Sequence, residues 1–441
     1  MDDGAQGFGG LLRSRRRKSG LSQLELAERS GLSTRAISKL ECGRTQWPYP
    51  DSVGRLADAL GLRDTERVEF TAAAQRRLGL RAVPARRHVD RDYVPRLLPA
   101  PNPAFTGRVG ESAALSRMLD EPAGAALVTT ITGTAGVGKT ALAVNWAHRA
   151  AARFPDGQLF IDLRGFGPSG GPPTPAQAAR VFLDALRVPA DRLPATAEAQ
   201  LGLFRSLLAG KRMLVVLDNA RNAAQVRPLL PGGSGCRVIV TSRDRLAGLT
   251  VTDGARPLAL GTLSDTEARH LLAGRLGPAR LAADRPATDR IVASCAGLPL
   301  ALCIVATRAE LRPDLTLARI AADLATAPRL DAFTDMSDPA ADLRAAFSWS
   351  YRQLDGDAAL AFRLAGLHPD LGLEPDTIAA LTGTTPELAG RALDALARAS
   401  LIHTAGQERY TMHRLLRAYA GEQAARHGDE RSRTAVIAVT A

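Results

Sequence analysis

The sequence predicts a multidomain α and α/β protein, and three observations support this prediction. A length of 441 residues corresponds to two to four domains, at roughly 100 to 200 residues per domain. Between about residues 105 and 260, helical patterns alternate with five apolar strand-like runs: ALVTTITG, QLFIDL, RMLVVLD, CRVIVTS and RPLAL. This alternation is typical of a parallel sheet wrapped by helices. The segments on either side are helical in pattern, apart from two short strand-like runs near 401–412.

Composition and charge narrow the class of protein. Apolar residues make up 45% and charged residues 23%, which excludes disorder throughout the chain. The formal net charge is +12, and residues 1–100 carry 19 basic against 12 acidic residues. A basic end on a nearly balanced body indicates a polyanionic partner for that end. The four cysteines form no C-x-x-C pair, and neither a signal peptide nor a membrane-length apolar run is visible, so we expect a cytoplasmic protein without a membrane partner.

Residues 21–44 (LSQLELAERSGLSTRAISKLECGR) predict two short helices joined by a tight turn. Ser22 and Glu25 have the spacing of a capping box, in which each side chain satisfies a backbone N–H group of the first helical turn. Gly31 can adopt the left-handed conformation of the turn, and Ser33 is placed to cap the second helix. A second helix that presents small polar and cationic groups has the geometry of a helix-turn-helix reading the major groove.

The candidate DNA contacts lie on these two helices or at their ends: Gln23, Ser33, Thr34, Arg35, Ser38, Lys39 and Arg44. The basic cluster between Arg13 and Lys18 adds charge that would neutralise phosphates. A plain helical bundle with solvated basic residues is the alternative. About residues 8–62 resemble the Xre/Cro-type helix-turn-helix family in LSQ..LA, ISKLE.G and LADALGL, and the resemblance implies that residues 1–80 bind double-stranded DNA.

Residues 133–140 (GTAGVGKT) match the phosphate-binding pattern G-x-x-x-x-G-K-[ST], between a strand-like run and a helical one. In a loop of this kind, backbone amides surround phosphates, so Lys139 would bridge the β- and γ-phosphates and the Thr140 hydroxyl would ligate Mg²⁺. The candidate nucleotide-binding positions of this segment are Gly133, Gly136, Val137, Gly138, Lys139, Thr140 and Ala141. A nucleotide is the predicted ligand.

A second element of the nucleotide site is predicted in RMLVVLDN (212–219), where Asp218 ends a buried strand and holds Mg²⁺ through water. Asn219 stands where a hydrolytic enzyme often has a second carboxylate. An amide cannot accept a proton from water, so the sequence predicts at most a slow ATPase that acts as a switch. Arg243, just after another strand, is a candidate sensor of the γ-phosphate, although a surface arginine on a turn is the alternative. Lys139, Asp218, Asn219 and Arg243 form the candidate catalytic set.

Seven runs, taken in order, resemble the NB-ARC subgroup of STAND NTPases, which includes apoptosome and plant resistance proteins. They are FTGRVGE (105–111), GTAGVGKT, QLFIDLRGF (158–166), VVLDNA, VTSRDRL, GLPLAL (297–302) and MHR (412–414). The resemblance implies a P-loop NTPase core over 105–260, a small helical domain over 261–340 and a winged helix over 341–427. Residues 81–104, with five prolines, are expected to be a linker, and 428–441 a tail or the start of a missing sensor.

The same resemblance implies further nucleotide contacts. Thr106 and Arg108 correspond to positions that contact the adenosine, and Pro299 to one that packs on the adenine. His413 would reach the β-phosphate of ADP and hold a closed form. Without the family, Pro299 simply starts a buried helix and His413 is an ordinary partly buried histidine. Arg414 replaces the usual Asp of the family, and it could instead meet phosphate or a carboxylate.

These patterns together predict a bacterial DNA-binding transcriptional regulator of the STAND class. It would be switched off by ADP and on by ATP with Mg²⁺, and it would self-associate when an unknown inducer activates it. Homo-oligomerisation would multiply DNA affinity through effective concentration. The alternative is an oligomeric signalling or defence scaffold whose N-terminal head binds protein or sensed nucleic acid. Asn219 and the single P-loop argue against a motor ATPase.

Overall fold

The computed structural model describes residues 8–42, 50–75, 93–120, 127–167, 171–326, 330–333, 341–367, 372–406 and 409–428. Within this chain, two compact units are separated between residues 92 and 93. In the described part of the chain, no helix combines the length and the apolar character that crossing a membrane requires.

The described elements of the first unit are all helices, as predicted. Its helices are α1 (Phe8–Lys18), α2 (Gln23–Ser30), α3 (Thr34–Glu41), α4 (Pro50–Ala59) and α5 (Asp64–Gln75). Both halves of the predicted capping box start α2, since the Ser22 side chain accepts from the Glu25 N–H and the Glu25 carboxylate accepts from the Ser22 N–H. Gly31 ends α2 with φ 63°. The core contains Leu12, Leu26, Ile37, Leu56 and Phe70, all fully buried.

The second unit is built on a parallel sheet whose five strands are those that the sequence predicts. They are β1 (Leu127–Thr132), β2 (Gln158–Asp162), β3 (Leu214–Ala220), β4 (Arg237–Ser242) and β5 (Arg256–Ala259). The strand order is β2-β3-β4-β1-β5. Because β4 lies between β1 and β3, the carboxyl ends of these three strands meet at one edge of the sheet. This edge is where ligands of open α/β sheets bind.

Helices cover both faces of this sheet. They are α6 (Val109–Asp120), α7 (Lys139–Ala150), α8 (Pro175–Ala185), α9 (Ala197–Leu208), α10 (Ala223–Val226) and α11 (Ala247–Asp253). One apolar cluster joins α7 to β1 and β3, and another joins α8 and α9 to the opposite face. The fully buried Leu142 belongs to the first cluster, and the fully buried Phe182 belongs to the second.

The described elements in the rest of the second unit are helices and one hairpin, which an isolated bridge from Leu373 to Tyr410 extends. The helices are α12 (Asp265–Leu276), α13 (Pro278–Ala283), α14 (Arg285–Cys295), α15 (Pro299–Leu311), α16 (Leu317–Thr326), α17 (Leu343–Tyr351), α18 (Gly356–Leu367), α19 (Pro375–Thr382), α20 (Pro386–Arg398) and α21 (Arg414–His427). The antiparallel strands β6 (His403–Thr404) and β7 (Tyr410–Thr411) lie between α20 and α21. The small helical and winged-helix assignments stay predictions, and residues 429–441 lie outside the described residues.

The chain from residue 93 onward runs along the outer edge of β2. Gln158 donates from its backbone N–H to the Pro95 carbonyl at 2.8 Å and accepts from the Leu97 N–H at 2.9 Å. The His148 ring nitrogen Nε2 lies 2.8 Å from the Pro99 carbonyl oxygen. Residues 93–104 of the predicted linker therefore belong to the second unit. One bridge to an edge strand needs no apolar periodicity, which is why the sequence pattern gave no sign of it.

Candidate nucleotide site and DNA-binding helix

The carboxyl ends of β1, β3 and β4 open into a cavity of about 630 Å³. Nine of the predicted site residues line it: Gly136, Gly138, Lys139, Thr140, Ala141, Asp218, Asn219, Arg243 and Pro299. The structure thus brings together residues from four separate motifs. Cavities of this size accommodate small-molecule ligands.

The P-loop requires its glycines for backbone geometry and for space. Gly133, Gly136 and Gly138 have φ values of 150°, 76° and 94°. A Cβ atom at Gly133 would lie 2.5 Å from the Leu260 carbonyl oxygen, and one at Gly136 would lie 2.8 Å from Leu300 Cβ. Gly138 then precedes α7 without a side-chain cap, so the first N–H groups of this helix are available to an anion in the cavity.

Lys139 lies inside the loop that precedes it. Its ammonium group donates to the carbonyl oxygens of Gly133 and Thr134, each at 2.8 Å. Burial lowers the Lys139 pKa to about 7, and the Arg243 cation adds to this, while Asp218 opposes it. The loop carbonyls therefore orient the Lys139 ammonium group, and a bound phosphate would serve as its counter-ion.

Asp218 receives two hydroxyl groups at the end of β3. Its Oδ1 atom accepts from Thr140 Oγ1 at 2.8 Å and from Thr241 Oγ1 at 2.6 Å. Burial raises the Asp218 pKa more than these hydrogen bonds lower it. A hydroxyl and a carboxylate in contact are oxygen donors that suit Mg²⁺ together with substrate phosphates. Within the described residues no group of three or more His, Cys, Asp and Glu gathers, so the fit is to this two-residue set.

Asn219 has a left-handed backbone, with φ 55°. Its backbone N–H donates to Thr241 Oγ1 at 2.8 Å. Its side-chain Nδ2 donates to the Phe166 carbonyl at 3.0 Å and approaches Asp162 Oδ1 at 3.4 Å. The amide is therefore tied to the loop that follows β2.

Arg243 is buried, with only 9% of the residue exposed, so the alternative of a surface arginine is wrong. Its guanidinium donates to the Ala346 carbonyl and, at 3.1 Å, to Ser350 Oγ, both on α17. The Phe166 and Trp349 rings lie 5.1 and 5.5 Å from the guanidinium carbon. Burial lowers the Arg243 pKa to about 10, and among the described residues no carboxylate pairs with it. The cation thus connects the cavity to α17 without a counter-ion.

Thr106 and Arg108 lie beside the P-loop rather than in this cavity. Thr106 lines a separate cavity of about 600 Å³ next to Trp146. The Arg108 guanidinium donates to the carbonyl oxygens of Val137 at 3.1 Å and Gly261 at 2.7 Å, and its backbone has φ 59°. Val137 is itself fully buried. Of the two residues predicted to contact adenosine, Arg108 therefore bonds to the P-loop, and Thr106 lines the separate cavity.

Pro299 is the first residue of α15 and also lines the cavity, while its contact with an adenine base stays a prediction. His413 contacts the protein instead of the cavity. Its Nδ1 atom accepts from the Leu415 N–H at 3.3 Å, so the ring proton lies on Nε2, which donates to the Ala296 carbonyl at 2.9 Å. Arg414 donates to the Ala293 carbonyl, which belongs to the last turn of α14.

The DNA-binding candidates on α3 are outward-facing. Ser33 caps α3 by accepting from the Ala36 N–H at 3.2 Å. Thr34 and Lys39 are exposed, and Ser38 is half-buried. The Arg35 side chain and all of Arg44 lie outside the described residues.

Several basic and polar groups near α3 are occupied within the first unit. Glu41, whose side chain is fully buried, accepts from Arg16 at 2.6 and 3.0 Å and from Gln23 Nε2 at 2.8 Å. Arg15 pairs with Glu66 and Glu69. The acidic partners lie 18 to 54 residues away in sequence, so the local pattern could not reveal them. Gln23 and much of the basic cluster therefore hold the unit together.

Sequence reasoning missed other residues of the nucleotide cavity: Asn102, Asp162, Arg164, Phe166, Leu300 and Trp349. Asp162 had a detectable signal, because it ends the strand-like run QLFID and is the register partner of Asp218. A polar residue at the carboxyl end of a second parallel strand is expected at the same edge. Asn102 had none, since it lies in the proline-rich segment.

Comparison with known proteins gives matches for both units. Residues 8–70 match the family model of a helix-turn-helix domain. The chain is 41% identical over 330 residues to the regulatory protein AfsR of Streptomyces griseus. The matched segment covers 74% of this chain and 33% of that protein. AfsR of Streptomyces coelicolor is 40% identical over 334 residues, with the same coverage. A solved STAND protein with a tetratricopeptide repeat sensor from Pyrococcus horikoshii has 17% identity and a TM-score of 0.34, covering 78% of this chain and 46% of that one.

The family-model match and the fold define the class: a helix-turn-helix domain joined to a P-loop NTPase fold, which are the two domain types that the sequence predicts. More particularly, the chain is similar to the AfsR regulatory proteins of Streptomyces. It spans about a third of the length of these relatives.

Proposed function

We propose that this chain is a transcriptional regulator whose affinity for DNA is switched by the nucleotide in the P-loop cavity. ADP holds the resting form, and ATP with Mg²⁺ favours an active form that self-associates. The helix-turn-helix domain binds double-stranded DNA, mainly through α3. The similarity to proteins named as regulators supports this role.

The observation that carries the proposal is the position of Arg243. Its guanidinium lies in the cavity and bonds to α17, and it has no carboxylate partner in the described part of the chain. A buried cation without a counter-ion gains more from a γ-phosphate than an already paired one does. When ATP binds, Arg243 is drawn to the phosphate and its bonds to α17 weaken. ADP lacks this group and leaves the bonds in place.

The remaining roles follow from the site. Lys139 binds the phosphates, and Thr140 and Asp218 hold Mg²⁺, which supplies charge neutralisation when it is bound. Pro299 packs on the base at the start of α15. Arg108 supports the loop through Val137, and Thr106 stays a proposed adenosine contact. His413 and Arg414 hold α21 against the end of α14 in the resting form.

The proposal is tested on the purified chain. Its bound nucleotide is identified by chromatography, and its mass in solution is measured with ADP and with a non-hydrolysable ATP analogue. We expect adenine nucleotide to be bound, and a larger species with the analogue. Lys139→Ala should abolish both nucleotide binding and the formation of the larger species. Lys211→Ala, which changes an exposed lysine of the same unit, is the control and should alter neither.

The role of DNA is tested with the same two nucleotide states. Retention of double-stranded DNA should rise with the ATP analogue and fall steeply with salt. Assembly that depends on nucleotide without any retention of DNA would instead favour the signalling or defence scaffold. Identical shape and assembly with either nucleotide would contradict the switch.

A further inference from the structure

The nucleotide cavity contains a second carboxylate that the motif at the end of β3 does not supply. We infer that Asp162, at the end of β2, orients and deprotonates the water that attacks ATP. The inference rests on the proposed function and adds to it the group that performs hydrolysis. It replaces the expectation that hydrolysis lacks a base because position 219 is an amide.

The sheet places Asp162 beside the metal-binding carboxylate. Asp162 is the register partner of Asp218 on the neighbouring strand, and both residues line the cavity. Adjacent strands lie about 4.8 Å apart, so the two carboxyl groups share the same edge of the sheet. Their charges interact, since Asp162 contributes to raising the Asp218 pKa.

Hydrogen bonds fix the Asp162 carboxylate next to position 219. Its Oδ1 atom accepts from the Arg164 N–H at 2.8 Å and from Asn219 Nδ2 at 3.4 Å. The Asp162 carboxylate thus accepts a hydrogen bond from the side chain of Asn219, the position at which hydrolytic enzymes often have a second carboxylate. The residue is exposed towards the cavity, whereas Asp218 is buried under two hydroxyl groups.

The loop after Asp162 is pressed against β3. The Gly165 N–H donates to the Asn219 carbonyl at 2.7 Å, and a Cβ atom at Gly165 would lie 2.4 Å from the Arg221 backbone nitrogen. Arg164 lines the same cavity with a left-handed backbone at φ 47°. Left-handed non-glycine residues cost free energy and cluster at functional sites. The loop therefore holds a carboxylate and a cation against the cavity at a fixed distance from β3.

The reaction balances with water and ATP alone. The water oxygen bonds to the γ-phosphorus, and the bond from that phosphorus to the β–γ bridging oxygen breaks. Its electron pair leaves with ADP, and the water proton passes to the Asp162 carboxylate before it is released with phosphate. A carboxylate one strand away from the usual position suits slow turnover, no faster than about one per second.

A purely structural interpretation also exists, because the bond from the Arg164 N–H to Asp162 Oδ1 is an Asx turn. The variant Asp162→Asn separates the two roles. An asparagine keeps the carbonyl oxygen that accepts this bond, but it cannot take a proton. Asp191→Asn, at an exposed carboxylate outside the cavity lining, is the matched control.

Single-turnover hydrolysis, affinity for a fluorescent ATP analogue and the nucleotide that co-purifies are measured for each variant. Asp162→Asn should slow hydrolysis by about 100-fold or more, leave affinity within about threefold, and retain ATP in place of ADP. The double variant Asp162→Asn with Asn219→Asp should recover hydrolysis, because it restores one carboxylate beside the cavity. Asp191→Asn should match the unchanged protein.

Three results overturn the inference while leaving the switch intact. They are undiminished hydrolysis by Asp162→Asn, failure of the double variant to recover despite normal affinity, and no hydrolysis by the unchanged protein with ATP bound. Absence of any adenine-nucleotide binding by the unchanged protein is different, because it contradicts the proposed function itself.

Discussion

His413 donates from Nε2 to the carbonyl oxygen of Ala296 at 2.9 Å, which joins the start of α21 to the end of α14. Arg414 adds a bond to the Ala293 carbonyl one turn earlier. The last carbonyl groups of a helix lack partners within it, and a cation there also complements the helix dipole. An aspartate at position 414 could not donate such a bond. The contact with Ala293 therefore explains why an arginine is suited to this position.

The His413→Ala variant should loosen α21 in the absence of nucleotide. It removes the bond to Ala296 and the N-cap bond to Leu415, so we expect a loss of about 1–2 kcal/mol for the docking of this helix. Hydrogen exchange of residues 414–427 measures the effect. His427→Ala is the control, since the ring of that residue bonds within its own helix to Gln423. Unchanged exchange together with faster release of ADP would show that His413 serves phosphate instead.

The same contact should weaken in acid. Burial lowers the His413 pKa below its ordinary value, and protonation would turn the Nδ1 acceptor into a donor facing the Leu415 N–H. The unfolded chain then binds more protons than the folded one, so stability falls as pH drops below about 6.5. The pH dependence of unfolding of the unchanged chain and of His413→Gln measures this, and equal slopes would contradict it.

Arg243→Ala should remove the discrimination between ATP and ADP. In the nucleotide-free protein, the loss of two hydrogen bonds is offset because a buried charge without a counter-ion disappears, so the melting temperature should change little. The additional stabilisation by an ATP analogue over ADP should vanish in thermal melts. Arg245→Ala, at the exposed neighbour, should keep it. A preserved difference between the two ligands in Arg243→Ala would exclude this residue as the sensor.

Nucleotide binding should take up a proton at neutral to mildly alkaline pH. The Lys139 pKa is about 7 in the empty loop, and a bound phosphate raises it because the ammonium gains an anion. Affinity should therefore be constant below pH 7 and fall as pH rises above it. Calorimetry of ADP binding in buffers of different ionisation enthalpy should give uptake approaching about one proton at pH 8.5. No uptake at any pH would exclude a lowered pKa.

In the first unit, Glu41→Ala and Lys39→Ala should separate stability from DNA binding. Burial alone would raise the Glu41 pKa, but hydrogen bonds from Arg16 and Gln23 outweigh it and lower the pKa. Removing this carboxylate leaves the Arg16 guanidinium with its bond to the Leu21 carbonyl but without its ion-pair partner, so the unit should lose about 3 kcal/mol. Lys39→Ala should leave unfolding unchanged and weaken DNA binding with a smaller salt dependence. Chemical unfolding and the retention of double-stranded DNA are measured for each of the two variants.

Much of the fold was predictable because its signals are local. The five strands, the P-loop and the capping box at Ser22 each depend on a few consecutive residues. The domain boundaries and the roles of the site residues stay predictions. For the site, the motif sequences identify Lys139 and Asp218, and the two residues line one cavity because the carboxyl ends of parallel strands meet at one edge.

The remaining contacts join residues that are distant in sequence. Arg243 bonds to Ser350 across 107 residues, and His413 bonds to Ala296 across 117. Gln23 was predicted to touch DNA, yet its amide bonds to Glu41. Polar side chains of this kind can satisfy their hydrogen bonds in many ways, and only the packed structure selects one.

Both outer strands of the sheet have features that hinder pairing with a further strand. The segment around Arg96 covers β2 and is flanked by Pro95 and Pro99, while β5 carries Pro257, which has no N–H group to offer. Both features disfavour the pairing of a further strand at the two edges. We therefore expect any assembly of this unit to use its helices or loops rather than the edges of the sheet.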